Sequence, residues 1–416
     1  MDKINVLVVP SDNMGGVGFY RSTQPHIQLE KQFPEDFSVT IDMNPDFGKI
    51  EEFKKYDIVH IHKALFQNMD LLYKTLDFFK KNGIVTIMDI DDHWKLGPHH
   101  PQYLTQKTYH FDRIIKQNFS LFDYVTTTTK IFANEIKPYN KNVVVFPNAI
   151  DPTDKRFQTI KEKSDFIRIG MIMGSSHEYD MQLLKGMTNK LPKEILDKIQ
   201  FVLCGFDLRG TIKTIDPKTG KATSRNMLPK ETVWYRYEDL LTDNWKIVSP
   251  QYKAYLDLFV KDEPFPGEKE EHYRRVWTKD INHYYEHYNL VDVLLAPLEI
   301  TDFNKVKSQL KAIECCFSNT ALIASDFGPY QLDLVSIFEK GGKINPNGNA
   351  ILIDENKNHK DWAKAIKKLV ENPELITMLQ NNINKTLKDK FDLRKVTEQR
   401  AEFYRNAVNE KKKVQQ

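Results

Sequence analysis

The sequence predicts an α/β chain of two Rossmann-like, doubly wound domains facing a cleft, with an insertion in the second domain. Short apolar runs alternate with amphipathic helical patterns, which is how parallel sheets with right-handed crossovers read in sequence. The alternation breaks at Pro147-Asn148-Ala149-Ile150-Asp151 and restarts at Ile167. At 416 residues the chain also exceeds the size at which one core stops growing. The expected division is residues 1–152, then 165–390 with an insertion at 205–287, then a helix and tail at 391–416.

The strands expected in the first domain are Ile4 to Val9, Ser38 to Asp42, Ile58 to Ile61, Val85 to Met88, Tyr124 to Thr127 and Val143 to Phe146. Helical patterns such as Asp70 to Lys81 and His110 to Leu121 lie between them. A polar stretch through Asp165 reads as a linker. Strands of a second sheet follow at Ile167 to Met173, Ile199 to Leu203, Val291 to Pro297, Ala321 to Ser325 and Asn349 to Ile353. Between Gly205 and His287 the alternation gives way to an insertion with some helix, for example Pro250 to Val260. Its aromatics, among them Trp234, Tyr235, Tyr237, Tyr252 and Tyr255, suit either a stacking surface for sugars or a local core. The tail from Trp362 to Val408 is helical, and the closing EKKKVQQ reads as frayed.

With 60 basic and 57 acidic residues the formal charge is +3, which argues against a nucleic-acid binder. Three cysteines, Cys204, Cys315 and Cys316, make no disulfide framework and point to a reducing compartment. Neither a signal peptide nor an apolar run long enough to span a membrane is found. The expected location is cytoplasmic. Basic pairs such as Lys54-Lys55 and Lys80-Lys81 leave peripheral contact with the inner face of a membrane open.

Loops after strands carry the function in such folds. After the first strand, Gly15, Gly16 and Gly18 let backbone approach a ligand, with Arg21 following. The spacing is not GxGxxG and no acidic ribose partner follows, so a dinucleotide cofactor is not expected. After the fourth strand, Asp89, Asp91 and Asp92 offer carboxylates for general acid or base work, or for a metal that nothing distant completes. His60 and His62 point to one side of a strand end, but two ligands do not make a zinc site. In the second half, Gly174, Ser175 and His177 follow the strand that ends near Met173 and suit a phosphate or sugar, with Asp180 as the competing helix cap.

The stretch from Asp292 to Tyr330 reads as strand, polar loop, helix and strand. Ser308 is expected to cap the helix, with Leu310, Ile313 and Phe317 inward and Lys307, Lys311 and Glu314 on the opposite side. Lys307 beside a helix start makes an anion site, with phosphate the natural guest. Glu314 then lies roughly 9 Å further along the axis, about the reach from a diphosphate to a ribose.

These loops, in this order, resemble glycosyltransferases of the GT-B fold, the large retaining group often called glycosyl transferases group 1, or family 4. The resemblance covers nearly the whole chain: the glycine loop at Gly15, Gly16 and Gly18, the VVVFPNAID phrase at Val143 to Asp151, the Gly-Ser loop, and DVLLAP followed by a glutamate helix and IAS. It implies transfer of a sugar from a nucleotide diphosphate sugar to a saccharide or lipid-linked acceptor, with retention and without metal or other cofactor. Asn304, Lys307 and Ser308 would take the diphosphate and Glu314 the ribose. Asp91 or Asp92 would orient the acceptor or support the oxocarbenium-like centre, and Arg21 would aid a phosphate or an anionic acceptor. The chain departs from the pattern where Val306 replaces a first glutamate, His177 an arginine or lysine, and Met88 a histidine. Those departures keep two alternatives in view, a catalytically silent scaffold that binds nucleotide sugar within a polysaccharide assembly complex, and a nucleotide-sugar epimerase.

Overall fold

A computed structural model describes residues 3–12, 15–63, 68–215, 219, 221–339, 341–354 and 359–415. Contacts divide the chain into two units, Met1–Phe157 with Ile300–Glu314 and Thr386–Gln416, and Gln158–Glu299 with Cys315–Lys385.

The first unit is built on six parallel strands, β1 (Ile4–Val9), β2 (Phe37–Ile41), β3 (Ile58–His62), β4 (Val85–Ile90), β5 (Tyr124–Thr127) and β6 (Val143–Val145), in the order β2-β1-β3-β4-β5-β6. The chain leaves β1 towards β2 and returns on the other side at β3, so the sheet's switch point lies between β1 and β3. Every residue of β4 is buried, as a parallel strand covered on both faces requires. Helix Met69–Lys81 starts where the Asn68 side chain accepts the Leu71 N–H at 3.1 Å, and its closing Lys80 and Lys81 suit the negative end of the helix dipole. The closing helix, Leu393–Gln415, lays Ala401, Tyr404, Ala407 and Val408 against Val6, Val8 and Ile87. The tail expected to fray is helical as far as Gln415, and Lys411 there pairs with Asp123 at 2.6 Å.

The second unit has the strands β7 (Ile167–Ile172), β8 (Ile199–Phe206), β11 (Tyr273–Trp277), β12 (Val293–Ala296), β13 (Ala321–Ser325) and β14 (Ile351–Ile353), parallel and in the order β11-β8-β7-β12-β13-β14. Its switch point lies between β7 and β12. Gly170 in β7 has no substitute there, because a Cβ would come 2.3 Å from the Val291 side chain. The segment expected as an insertion adds an antiparallel hairpin, β9 (Thr211–Ile215) with β10 (Ala222–Asn226), the helices Val233–Leu241 and Pro250–Leu256, and the unexpected edge strand β11. Two adjacent arginines in Tyr273-Arg-Arg-Val-Trp277 hid that strand from a reading by hydrophobicity. Trp234, Tyr237, Tyr252 and Tyr273 join Leu203, Leu241 and Leu256 in a buried cluster, so most of these aromatics build core.

Candidate active site

At the switch point of the first unit, loops after β1, β3 and β4 bring charged residues together. Asp12 turns its carboxylate into the glycine loop, accepting the Gly15 N–H at 2.6 Å and the Gly18 N–H at 3.0 Å. Two of the amides expected to meet a ligand are thus engaged by the chain itself. Gly18 must be glycine, since a Cβ would stand 2.1 Å from the Asp12 carbonyl oxygen. Beyond it the backbone widens into a π-helical turn, Phe19–Thr23, before helix Gln24–Gln32. Such turns recur at functional sites.

The π turn carries Arg21 inward, where it is 1% exposed. Its Nε donates to Asp89 Oδ2 at 3.0 Å and its Nη2 to Asp89 Oδ1 at 2.6 Å. Nη1 donates to the Phe146 carbonyl at 2.6 Å and to Asn148 Oδ1 at 3.1 Å. Thr126 Oγ1 adds a bond to Asp89 Oδ1 at 2.6 Å. Burial pushes the Asp89 carboxyl up, but the charge and hydrogen bonds of Arg21, with the neighbouring His62 and His60, hold it at about 2. His60 has no hydrogen-bond partner on either ring nitrogen, and burial takes it down to about 3, so it stays neutral against the ring of His26.

Asn148 extends this network to the loop before helix Leu310–Ser318, its Nδ2 donating to Ser308 Oγ at 3.0 Å. Gln309, whose carbonyl accepts from Ala312 and Ile313, opens that helix, so Ser308 does not cap it as expected. Short helix Asp302–Lys305 precedes it, capped by Thr301, which accepts the Asn304 N–H at 3.0 Å. Lys307 stands over the Phe303 ring, its Nζ 5.0 Å from the centroid. Glu314 is fully buried and not on an outer face, because Tyr20 donates to its Oε1 at 3.3 Å and Lys311 reaches its Oε2 at 2.8 Å.

After β3, Lys63 adopts a left-handed backbone at φ 51°, an uncommon conformation for a side-chain-bearing residue that often marks functional turns. Its ammonium lies 2.9 Å from both Asp91 and Asp92. Asp91 also meets His62 Nε2 at 3.1 Å, and His62 Nδ1 meets Ser11 Oγ at 2.7 Å, bridging the ends of β1 and β3. Lys63 and His62 hold the Asp91 carboxyl well below the usual range against the upward push of burial. Arg21, Asp91, Asp92, Asn304, Lys307, Ser308, Glu314 and the glycine loop therefore all belong to the first unit. Sequence reasoning left out Asn148, Ser11, Lys63 and Tyr20. Asn148 lay in the PNAID phrase, Ser11 and Tyr20 in the glycine-loop stretch and Lys63 at the end of IVHIHK, but none was given a role.

In the second unit, the loop after β7 passes Gly174 and Ser175, whose carbonyls accept from Tyr237 OH at 3.3 and 3.2 Å. His177 Nδ1 lies 2.6 Å from Asp180 Oδ2, and Asp180 Oδ1 accepts the Glu299 N–H at 2.7 Å. Asp180 thus joins the loops after β7 and β12 across the switch point instead of capping a helix.

A separate groove of about 1150 Å³ lies near the amino ends of β5 and β6, lined by Lys80, Asp123, Tyr124, Lys141 and Glu410. It is at the opposite sheet edge from these loops. Among the described residues, no group of three or more His, Cys, Asp and Glu side chains is placed to hold a metal ion, and no helix is long and apolar enough to cross a membrane.

No family model and no curated protein matches the sequence. Solved structures do match it in fold. Anabaena HepE in complex with UDP-glucose superposes with a TM-score of 0.55 at 10% identity, covering 98% of this chain and all of that one. A glycosyltransferase from Rickettsia africae ESF-5 gives 0.57 at 14% identity, covering 98% and 99%. The catalytic domain of starch synthase IV from Arabidopsis thaliana, bound to ADP and acarbose, gives 0.58 at 12% identity over the same shares. The two parallel six-stranded sheets and the near-complete coverage together establish that this chain has the GT-B fold.

Proposed function

We propose that the protein is a glycosyltransferase that moves a sugar from a nucleotide diphosphate sugar to a saccharide or lipid-linked saccharide, with retention and independently of metal. The observation that carries this reading is the stretch from Asn304 to Glu314. One buried carboxylate and one positioned hydroxyl stand on it beside a lysine, and each is held by residues distant in sequence, Tyr20 for Glu314 and Asn148 for Ser308. HepE and the starch synthase domain, of like fold, were solved with UDP-glucose and with ADP.

In this reading Lys307, Asn304 and Ser308 take the diphosphate. Charge that accumulates on the leaving nucleotide meets the Lys307 ammonium, which stabilises the transition state more than the ground state. Glu314 accepts hydrogen bonds from the ribose hydroxyls. Gly174, Ser175 and His177 are proposed for donor contacts, as are Gly15, Gly16 and Gly18. Arg21 acts by holding Asn148, and Asp91 and Asp92 serve the acceptor side. The cytoplasmic face of a membrane suits a lipid-linked acceptor.

A thermal-shift panel of UDP, GDP, ADP and their sugars tests the reading, because a ligand that binds only the folded state raises its stability. Lys307→Ala is expected to cut turnover at least tenfold and weaken nucleotide binding, and Glu314→Ala to weaken binding through the ribose. If both variants bind as the parent does, the proposed donor site is wrong. A second reading, a silent scaffold, draws on Asp91 and Asp92 being tied to Lys63. It requires binding of a nucleotide sugar with no release of nucleotide.

A further inference from the structure

We infer that Ser11, His62 and Asp91 form a proton relay that activates the acceptor hydroxyl, an inference that rests on the glycosyl-transfer reading. Ser11 is exposed at the end of β1, while the His62 side chain beneath it is fully buried. Ser11 Oγ lies 2.7 Å from Nδ1, and Asp91 Oδ1 lies 3.1 Å from Nε2. The direction of the chain follows from the charges. Asp91 faces the Lys63 ammonium at 2.9 Å and is held ionised, so it only accepts. In the neutral ring Nε2 then carries the proton and donates to Asp91, which leaves a lone pair on Nδ1. Ser11 must then donate its hydroxyl proton to Nδ1, in preference to the Asp12 carboxylate at 3.4 Å.

That arrangement leaves the outer lone pairs of Ser11 Oγ directed away from the imidazole. An acceptor hydroxyl bound there gives its proton to Ser11 Oγ as the Ser11 proton passes to His62 Nδ1. The acceptor oxygen forms its bond to the anomeric carbon on the face from which the nucleotide departs, as retention requires, and the anomeric carbon–oxygen bond to the diphosphate breaks with its electron pair leaving on the nucleotide. His62 ends as an imidazolium facing Asp91 at 3.1 Å and Asp89 at 3.8 Å, and returns its proton to solvent or product afterwards. Ser11 is the residue that touches substrate. His62 acts through it, and Asp91 positions the ring, as a carboxylate does for an imidazole in hydrolytic triads, although the two ring nitrogens here exchange roles.

The test uses the full chain with whichever of UDP-glucose, ADP-glucose or GDP-mannose it consumes, reading nucleotide release with a saccharide acceptor present. Ser11→Ala is expected to lower kcat about 100-fold, the scale of general-base catalysis, with donor KM within about twofold of the parent. Ser11→Thr restores most of kcat. His62→Gln lowers kcat comparably, and the double variant falls no further. A solvent deuterium isotope effect on kcat is expected in the parent and is lost in Ser11→Ala. Unchanged kcat in Ser11→Ala, failure of Ser11→Thr to rescue, or multiplicative losses in the double variant would overturn the relay and leave glycosyl transfer standing. A parent that binds and consumes none of the donors sinks both. Ser11 is exposed, so its variants fold whatever becomes of His62→Gln.

Discussion

In each unit an arginine is buried against a fully buried carboxylate, Arg21 on Asp89 and Arg275 on Glu238, and these two pairs have nearly the same geometry. Arg21 grips Asp89 with contacts of 3.0 and 2.6 Å, and Arg275 grips Glu238 with contacts of 2.6 and 2.7 Å. Their surroundings differ. Arg275 lies 4.0 Å from the Phe206 ring centroid, and Glu238 receives one further bond, from Tyr273 OH at 2.6 Å. Arg21 spends its remaining donors on the Phe146 carbonyl and on Asn148, which leads to Ser308. One pair is sealed in aromatic core, while the other is the inner end of a polar chain that reaches a candidate ligand loop. Buried ion pairs are weak evidence of function by themselves. What distinguishes these two is where the leftover hydrogen-bonding capacity goes.

The titration behaviour follows the same division. Asp89 is held at about 2 because Arg21, His62 and His60 outweigh burial. Glu238 is pushed above the usual carboxylate range by burial, which exceeds what Arg275 and Tyr273 return. The pairing shows instead on Arg275, raised above its ordinary value.

The comparison breaks most readily at the arginines. Arg21→Met and Arg275→Met should each cost about 3–5 kcal/mol in urea unfolding, because each strands a buried carboxylate. Only Arg21→Met should also lower turnover per folded molecule, by tenfold or more; equal activities would erase the distinction drawn here. A smaller contrast lies in acid. A depressed carboxyl such as Asp89 contributes stability above its unfolded value, about 3.9, which is lost as pH falls towards 2. Buried neutral His60 contributes above about 6.5, and that is lost as pH falls towards 3, with buried His26 acting in the same sense. Raised Glu238 has the opposite sign, contributing below about 4.3 and losing that as pH rises. Between pH 7 and 4.5, hydrogen exchange corrected for intrinsic rates should therefore speed in β3 and β4 before β8 and β11. Loss of protection in β8 and β11 first would contradict this ordering.

The smallest effects come from single donors. Thr126→Val and Tyr273→Phe each remove one hydrogen bond to a buried carboxylate, worth about 1.5–3 kcal/mol. Each carboxylate keeps both contacts from its arginine, so the two losses are expected to be of similar size. A clearly larger loss for Thr126→Val than for Tyr273→Phe would show that Asp89 depends on its neutral donor more than on Arg21.

Local sequence alone determined the parallel strands other than β11, and most helices. Strands buried on both faces must be continuous apolar runs, as in Val293-Leu-Leu-Ala296, and crossovers must be amphipathic helices. It also marked the glycine loop, the aspartates after β4 and the stretch from Asn304 to Glu314, because turns and helix starts demand particular residue types. Partner choice was decided only by the tertiary structure. Arg21 meets Asp89 across 68 residues and Asn148 meets Ser308 across 160. Such pairings depend on sheet order and strand register, which no local pattern encodes. For the same reason β11, with its paired arginines, became a strand only once Glu238 supplied the countercharge that lets Arg275 be buried.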